Sequence, residues 1–209
     1  MRKKMFFIVL SSIFIFWGYA MSDNQTRKTS SDNATFSAAN NTTLIPYYSK
    51  TGKTKIVAEE LNSLVPGSKL VEVKSDASIP AAIFWYKLPF TKAKIEPLNI
   101  NFDNYDRVFL CTPIYMQGIS PAIKAVIKEI PLKDKKVSVF TTCGGMYGSL
   151  MHWFVKRSIR SKGAEVQGLY VVKVGGKTDE EIGSQTAIHL KADAEKWDNT
   201  CSQKNRDRL

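Results

Sequence analysis

The run Tyr48-Ser49-Lys50-Thr51-Gly52-Lys53-Thr54 gathers three hydroxyls, two ammonium groups and one glycine between a strand-like and a helix-like stretch. Ser49, Thr51 and Thr54 supply O–H donors, and Gly52 permits a tight turn. A helix that starts here offers free N–H groups and the positive end of its dipole, which together attract an anion. Lys50 and Lys53 add charge of the right sign. The chemistry that suits such a loop is capture of a phosphate monoester, although a plain hydroxyl-rich helix cap has a similar composition. Gly52-Lys53-Thr54 also matches the tail of a Walker A loop. That motif needs a glycine five residues before Gly52, where Tyr47 stands. The run Phe109-Leu110-Cys111-Thr112 likewise ends with no acid to hold Mg²⁺, which argues against an NTPase.

Two further segments join this one. Asn104 to Tyr115 (NYDRVFLCTPIY) carries the apolar stretch Val108–Cys111 and ends in Thr112-Pro113-Ile114-Tyr115, followed by Met116. Thr141-Thr142-Cys143-Gly144-Gly145 closes a second apolar run with two glycines that permit close backbone approach. Cys111, Cys143 and Cys201 form no CxxC pair, and with only His152 and His189 beside them a zinc or haem site has little to build on. Cys143 is either redox-active or a small inert side chain.

These segments must be positioned by regular elements, and the hydrophobic pattern supplies them. A strand over Thr43–Tyr48 leads into a helix over about Gly52–Leu64, with Val57, Leu61 and Leu64 on one face. Pro46 inside that strand removes a ladder hydrogen bond and suggests a bulge. Strands are expected at Lys69–Val73, Tyr105–Thr112, Lys136–Thr142 and Glu165–Val174. The third is nearly all apolar, as for a strand covered on both faces. Ser120-Pro121 reads as an N-cap and first-turn proline, opening a helix on Ile123, Val126, Ile127 and Ile130. A helix follows over Leu150–Ser161. The capping box Thr178–Glu181 opens a last helix with Ala187, Leu190, Ala194 and Trp197 on one face. Ser75 to Pro97 is too long for a simple connection, and its Ile83-Phe84-Trp85-Tyr86 cluster suggests a short helix. Alternating strands and helices imply an α/β three-layer sandwich around a parallel sheet.

YYSKTGKT on the first strand–helix turn resembles the flavodoxin phosphate loop, hydroxyl-x-Thr-Gly-x-Thr. The run NYDRVFLCTPIY is similar to that family's third strand and Thr-Pro-aromatic loop. TTCGG stands where its second flavin-flanking loop lies. The resemblance spans about Thr42 to Val174 and implies a five-stranded parallel sheet of order 2-1-3-4-5. It also implies an FMN site at the carboxyl ends of the strands, at the switch point of the sheet. On that basis the phosphate lies on Ser49, Lys50, Thr51, Gly52, Lys53 and Thr54. Thr112, Pro113, Ile114, Tyr115 and Met116 border the ring on one side, and Cys143, Gly144 and Gly145 on the other. Tyr115 either stacks on the flavin or covers the sheet edge. Tyr147 and Trp153 are candidates to border the pocket, Trp153 also reading as core at helical spacing. Two departures from the family stand out: Lys53 occupies a position where asparagine is common, and the chain is basic where electron-carrier flavodoxins are acidic.

The 209 residues, 44% hydrophobic and 23% charged, suffice for one domain with a leader and a tail. The formal net charge of +11 favours anionic partners such as phospholipid headgroups, nucleic acid or an acidic redox protein, or is simply a solvated basic surface. No specific nucleic-acid motif is present. Residues 1–20 read as a signal peptide, with Arg2-Lys3-Lys4 before the apolar run Met5–Trp17 and small residues up to Ala20, or as an uncleaved membrane anchor. Residues 21–41 read as a flexible polar linker, 42–198 as the domain and 199–209 as a polar tail. An extracytoplasmic location, secreted or periplasmic, follows. The expected function is an FMN-dependent electron carrier or small reductase serving a redox protein or a small-molecule acceptor. A binding module that has lost the flavin and uses its basic surface is the alternative.

Overall fold

The computed structural model describes residues 42–75, 93–115, 118–145 and 150–206. The leader, the linker, the Ile83–Tyr86 cluster, Met116 and Tyr147 lie outside the described residues. In chain order the elements are β1 (Thr43–Tyr47), α1 (Lys53–Leu64), β2 (Lys69–Glu72), β3 (Arg107–Tyr115), β4 (Gly118–Ile119), α2 (Pro121–Glu129), β5 (Lys136–Cys143), α3 (Leu150–Arg160), β6 (Glu165–Lys173) and α4 (Asp179–Arg206). β2, β1, β3, β5 and β6 lie side by side in that order, every pair parallel. Counting the parallel strands alone, this is the expected order 2-1-3-4-5. The short β4 pairs antiparallel with the end of β3.

Strand periodicity divides the core in two. Val108 and Leu110 of β3 face one way with Leu44, Val137 and Val139, and are covered by Ile123, Val126 and Ile127 of α2 and by Val155 and Ile159 of α3. Phe109 and Cys111 face the other way with Ile45, Tyr47 and Phe140, and are covered by Val57, Ala58 and Leu61 of α1 and by Ile182 and Leu190 of α4. Side chains that alternate across a doubly covered strand are buried on both faces, hence the apolar run Val108–Cys111 in β3.

Four expectations need correction. Pro46 makes no bulge: β1 keeps one register with β3 from Thr43/Arg107 and Leu44/Val108 to Tyr47/Cys111. The ladder skips Ile45 and Pro46 instead, because proline has no N–H to give. Leu64 is 40% exposed. α1 ends there, and the extended C-cap residue Val65 takes the buried place. Trp153 is not core. It is 55% exposed, since the buried face of α3 is set by Val155 and Ile159, and residue 153 falls on the far side. β3 runs past Thr112 to Tyr115, so the Thr-Pro-aromatic segment is the first arm of a hairpin whose second arm is β4.

The buried stripe of α4 is Ile182, Thr186, Leu190 and Asp193, while Ala187, Ala194 and Trp197 are half-buried. The helix continues to Arg206, into the segment read as a tail. Asp193 accepts hydrogen bonds from Ser138 Oγ at 2.5 Å and from Tyr170 Oη at 3.0 Å. Burial pushes the Asp193 carboxyl above the ordinary carboxylate range, against the opposing pull of Ser138, Tyr170, Arg107 and Lys196. A folded-state value above the unfolded one means that the native protein holds a proton the unfolded chain has lost. Stability from this group is therefore present at low pH and lost as pH rises through the raised value. Asp193→Asn, which keeps an acceptor for both hydroxyls, should flatten that part of a urea-unfolding pH profile. An unchanged profile would place the titration elsewhere.

Candidate functional site

The carboxyl ends of β1, β3, β5 and β6 converge on one edge of the sheet. Tyr48 N–H bonds Cys111 O at 3.2 Å, and Val174 N–H bonds Cys143 O at 2.9 Å, so the pairing persists into the segments that follow the strands. Three segments meet here: residues 48–54, the end of the β3–β4 hairpin, and residues 143–145.

The first segment is built to leave donors free. Gly52 adopts φ 84°, in the left-handed region that favours glycine, and the first helical bond of α1 is Ile56 N–H to Gly52 O. No side chain caps α1, and its first turn has no acid. The other described helix starts are already provided for. Ser120 Oγ accepts from Ile123 N–H at α2. At α4 the box closes both ways, Glu181 N–H to Thr178 Oγ1 at 3.2 Å and Thr178 N–H to Glu181 Oε2 at 2.9 Å. The α4 box and Lys177 hold Glu181 below the ordinary carboxylate range. α4 also carries Asp179, Glu180 and Glu181 in its first turn. Of these three helix starts, α1 alone presents uncapped N–H groups and no resident negative charge.

Ser49 Oγ is buried and has no hydrogen-bond partner among the described residues. A buried hydroxyl left unpaired costs about 1–3 kcal/mol, so a group that pairs with it is stabilised by the same amount. Thr54 is buried, and its Oγ1 lies 2.7 Å from Thr142 Oγ1, which ties the first segment to the end of β5. In that pair one hydroxyl donates and the other keeps its own hydrogen for a ligand. Lys50, Thr51 and Gly52 are exposed. Lys53 Nζ pairs with Asp179 Oδ1 at 2.9 Å, so α4 already engages its ammonium group.

Thr112 is used structurally. Its Oγ1 donates within reach of Ser120 Oγ (3.0 Å) and Pro113 O (3.1 Å) and accepts from Ser120 N–H (3.0 Å), locking the hairpin to the start of α2. Thr112→Val should cost about 1–3 kcal/mol in urea unfolding, because it strands the buried Ser120 N–H. A smaller cost would mean that a neighbour replaces the lost acceptor.

Pro113, Ile114 and Tyr115 are half-buried at the sheet edge. Burial, with a hydrogen bond to the Tyr48 phenol, pushes the Tyr115 hydroxyl up to about 12. Tyr115 is therefore neutral at physiological pH, its ring oriented through Tyr48. Cys143 is buried and its thiol donates to Gly145 O at 3.2 Å. A Cβ built on Gly144 or Gly145 would meet nothing within 4 Å among the described residues. Gly175, after β6, sits so close beneath that its Cβ would lie 2.2 Å from Gly144 O.

The structure thus brings Ser49, Thr54, Tyr115, Cys143, Gly144 and Gly145 to the same edge of the sheet, and turns the hydroxyl of Thr112 away to α2. Tyr48 and Thr142 stand within the quoted motifs but carry no contact role in the sequence reading, and Asp179 and Gly175 are not singled out by it. Thr142 had a signal, a hydroxyl at the end of an apolar strand. The other three act through partners distant in the chain.

No family model and no curated protein matches the chain. Solved structures do. A flavoprotein from Lactobacillus acidophilus NCFM in complex with FMN is 26% identical with TM-score 0.54, over 63% of this chain and 93% of that one. The apo form of the flavoprotein from the same organism matches at 26% and TM-score 0.51, over 63% and 91%. A protein from Bacteroides eggerthii DSM 20697, provisionally designated a flavoprotein, matches at 22% and TM-score 0.57, over 71% and 98%. The fold is flavodoxin-like.

Proposed function

We propose that this domain binds FMN and passes electrons between partners outside the cytoplasm. The observation that carries the reading is the buried, unpaired Ser49 hydroxyl beside the uncapped start of α1, a polar cradle suited to a phosphate. The FMN complex of the Lactobacillus acidophilus flavoprotein, a similar chain, supports the choice of cofactor. The extracytoplasmic setting rests on the signal-like leader.

In this reading Ser49, Thr51 and Thr54, with the N–H groups of Gly52 and Lys53, hold the phosphate. Lys50 and Lys53 balance its charge. Pro113, Ile114, Tyr115 and Met116 border the ring on one side, and Cys143, Gly144 and Gly145 on the other. The cofactor, when bound, supplies the electron transfer, and the protein sets where it sits and what it touches. Tyr115 offers a flat neutral ring for stacking rather than an acid or base. Neither sheet edge nor loop holds an acid–base dyad among the described residues at this site, which favours a carrier over an enzyme of bond chemistry.

The test uses flavin-loaded protein, reduced anaerobically with dithionite and then mixed with cytochrome c. A carrier reduces cytochrome c in proportion to its bound flavin and does not sustain NAD(P)H oxidation. Steady NAD(P)H turnover would make the protein a reductase, and flavin that cannot be reoxidised by any added acceptor would refute electron transfer.

A further inference from the structure

α3 has an exposed face that the core does not use. Val155 and Ile159 turn inward, while Trp153 and Phe154 stand 55% and 53% exposed and touch each other edge to face, centroids 4.9 Å apart. Large aromatics are seldom left in water as an adjacent pair without a partner. Arg157 Cζ lies 5.6 Å from the Trp153 ring centroid, one turn along the same stripe, and Arg160 follows one turn later.

The charge on this helix has one sign. α3, Leu150–Arg160, contains Lys156, Arg157 and Arg160 and no acid. The turn that follows adds Lys162, whose Nζ donates to Lys128 O at the end of α2. The composition of the stripe, tryptophan and phenylalanine flanked by arginine, is that of a helix that lies in a membrane interface. Its rings enter the headgroup boundary, and its guanidinium groups meet lipid phosphates. No described helix is long and apolar enough to cross a membrane, so contact would be lateral. The sequence upstream of the domain reads as a signal or anchor, with Met5–Trp17 apolar behind Arg2-Lys3-Lys4, and an anchor would hold the domain beside a bilayer.

We infer that the Trp153–Phe154–Arg157–Arg160 face of α3 docks on an anionic lipid surface. The aromatic pair supplies insertion and the arginines supply the preference for negative headgroups. An acidic protein would be drawn by the arginines, but it gives no comparable account of an exposed tryptophan–phenylalanine pair in a chain that also carries an apolar leader. The inference is independent of flavin binding.

The test uses the ligand-free full-length chain with vesicles of phosphatidylcholine alone, or of phosphatidylcholine and phosphatidylglycerol in equal parts. The Trp153 signal is the emission of the wild-type chain minus that of Trp153→Phe, which isolates it from Trp17, Trp85 and Trp197. The expected result is a blue shift and quenching by brominated lipid in the anionic vesicles only. The double variant Arg157→Glu/Arg160→Glu, altered only at exposed positions, should lose both, and added salt should weaken both. An unshifted, unquenched difference spectrum in anionic vesicles overturns the inference. So does an equal response to phosphatidylcholine alone, or a response to poly-glutamate with none to vesicles, which would assign the face to an acidic protein.

Discussion

Ser49→Ala should weaken FMN by about 10- to 100-fold, leave riboflavin binding unchanged, and make the ligand-free protein more stable. A hydrogen bond to a charged oxygen contributes about 1.5–3 kcal/mol, and each factor of ten in affinity is about 1.4 kcal/mol. Riboflavin lacks the phosphate, so it should be blind to the change. The stability effect has the opposite sign. Ser49 Oγ is buried without a partner among the described residues. Its removal relieves the desolvation cost of an unpaired hydroxyl, giving a gain of about 1 kcal/mol in urea unfolding. Thr54→Ala is a poorer probe, because it also breaks the 2.7 Å bond to Thr142. Equal losses for FMN and riboflavin, or a destabilised apoprotein, would remove Ser49 from the phosphate site.

Gly175→Ala should instead weaken both flavins together and destabilise the fold. The new Cβ would lie 2.2 Å from Gly144 O, a backbone atom that cannot swing aside as a side chain would. Overpacking of this kind costs about 1–3 kcal/mol. The displacement falls on Cys143–Gly145, where the ring and not the phosphate would be held. Val174 N–H also bonds Cys143 O at 2.9 Å, so the two segments move as one. FMN and riboflavin affinities should fall by a similar factor of about ten. A selective loss of FMN would mean that residues 143–145 serve the phosphate instead. The contrast between Ser49→Ala and Gly175→Ala separates the two ends of the ligand.

The sequence pattern reveals β3 by its apolar run Val108–Cys111, covered on both faces, and β5 and β6 by shorter apolar stretches among polar residues. It reveals α2 and the start of α4 because Ser120-Pro121 and the Thr178–Glu181 box are local chemistry, and both form as expected. It misses β4, whose two residues carry no periodicity and which exists only because Ile119 and Gly118 pair back onto Ile114 and Tyr115. Asp193 is missed for a different reason. A search for apolar faces passes over a carboxylate, whereas here Ser138 and Tyr170, far along the chain, make its burial tolerable. Trp153 misleads in the other direction, since helical spacing permits a large apolar residue on either face and only the sheet decides which one is covered.

At the site, the loop composition of 48–54 shows the anion chemistry directly. The sequence alone does not show which hydroxyl is spare. Thr112 and Thr54 carry the same group as Ser49, yet Thr112 is bonded to Ser120 and Thr54 to Thr142, while Ser49 remains unpaired among the described residues. That distinction depends on where distant strands bring their side chains.

The most direct test of FMN binding is a visible spectrum of the purified chain after mixing with excess FMN and desalting. The proposed site predicts retained flavin absorbance with fluorescence quenched by the protein. A well-folded protein that emerges colourless would contradict it, and would leave a flavodoxin-like binding module with a basic surface as the reading to pursue.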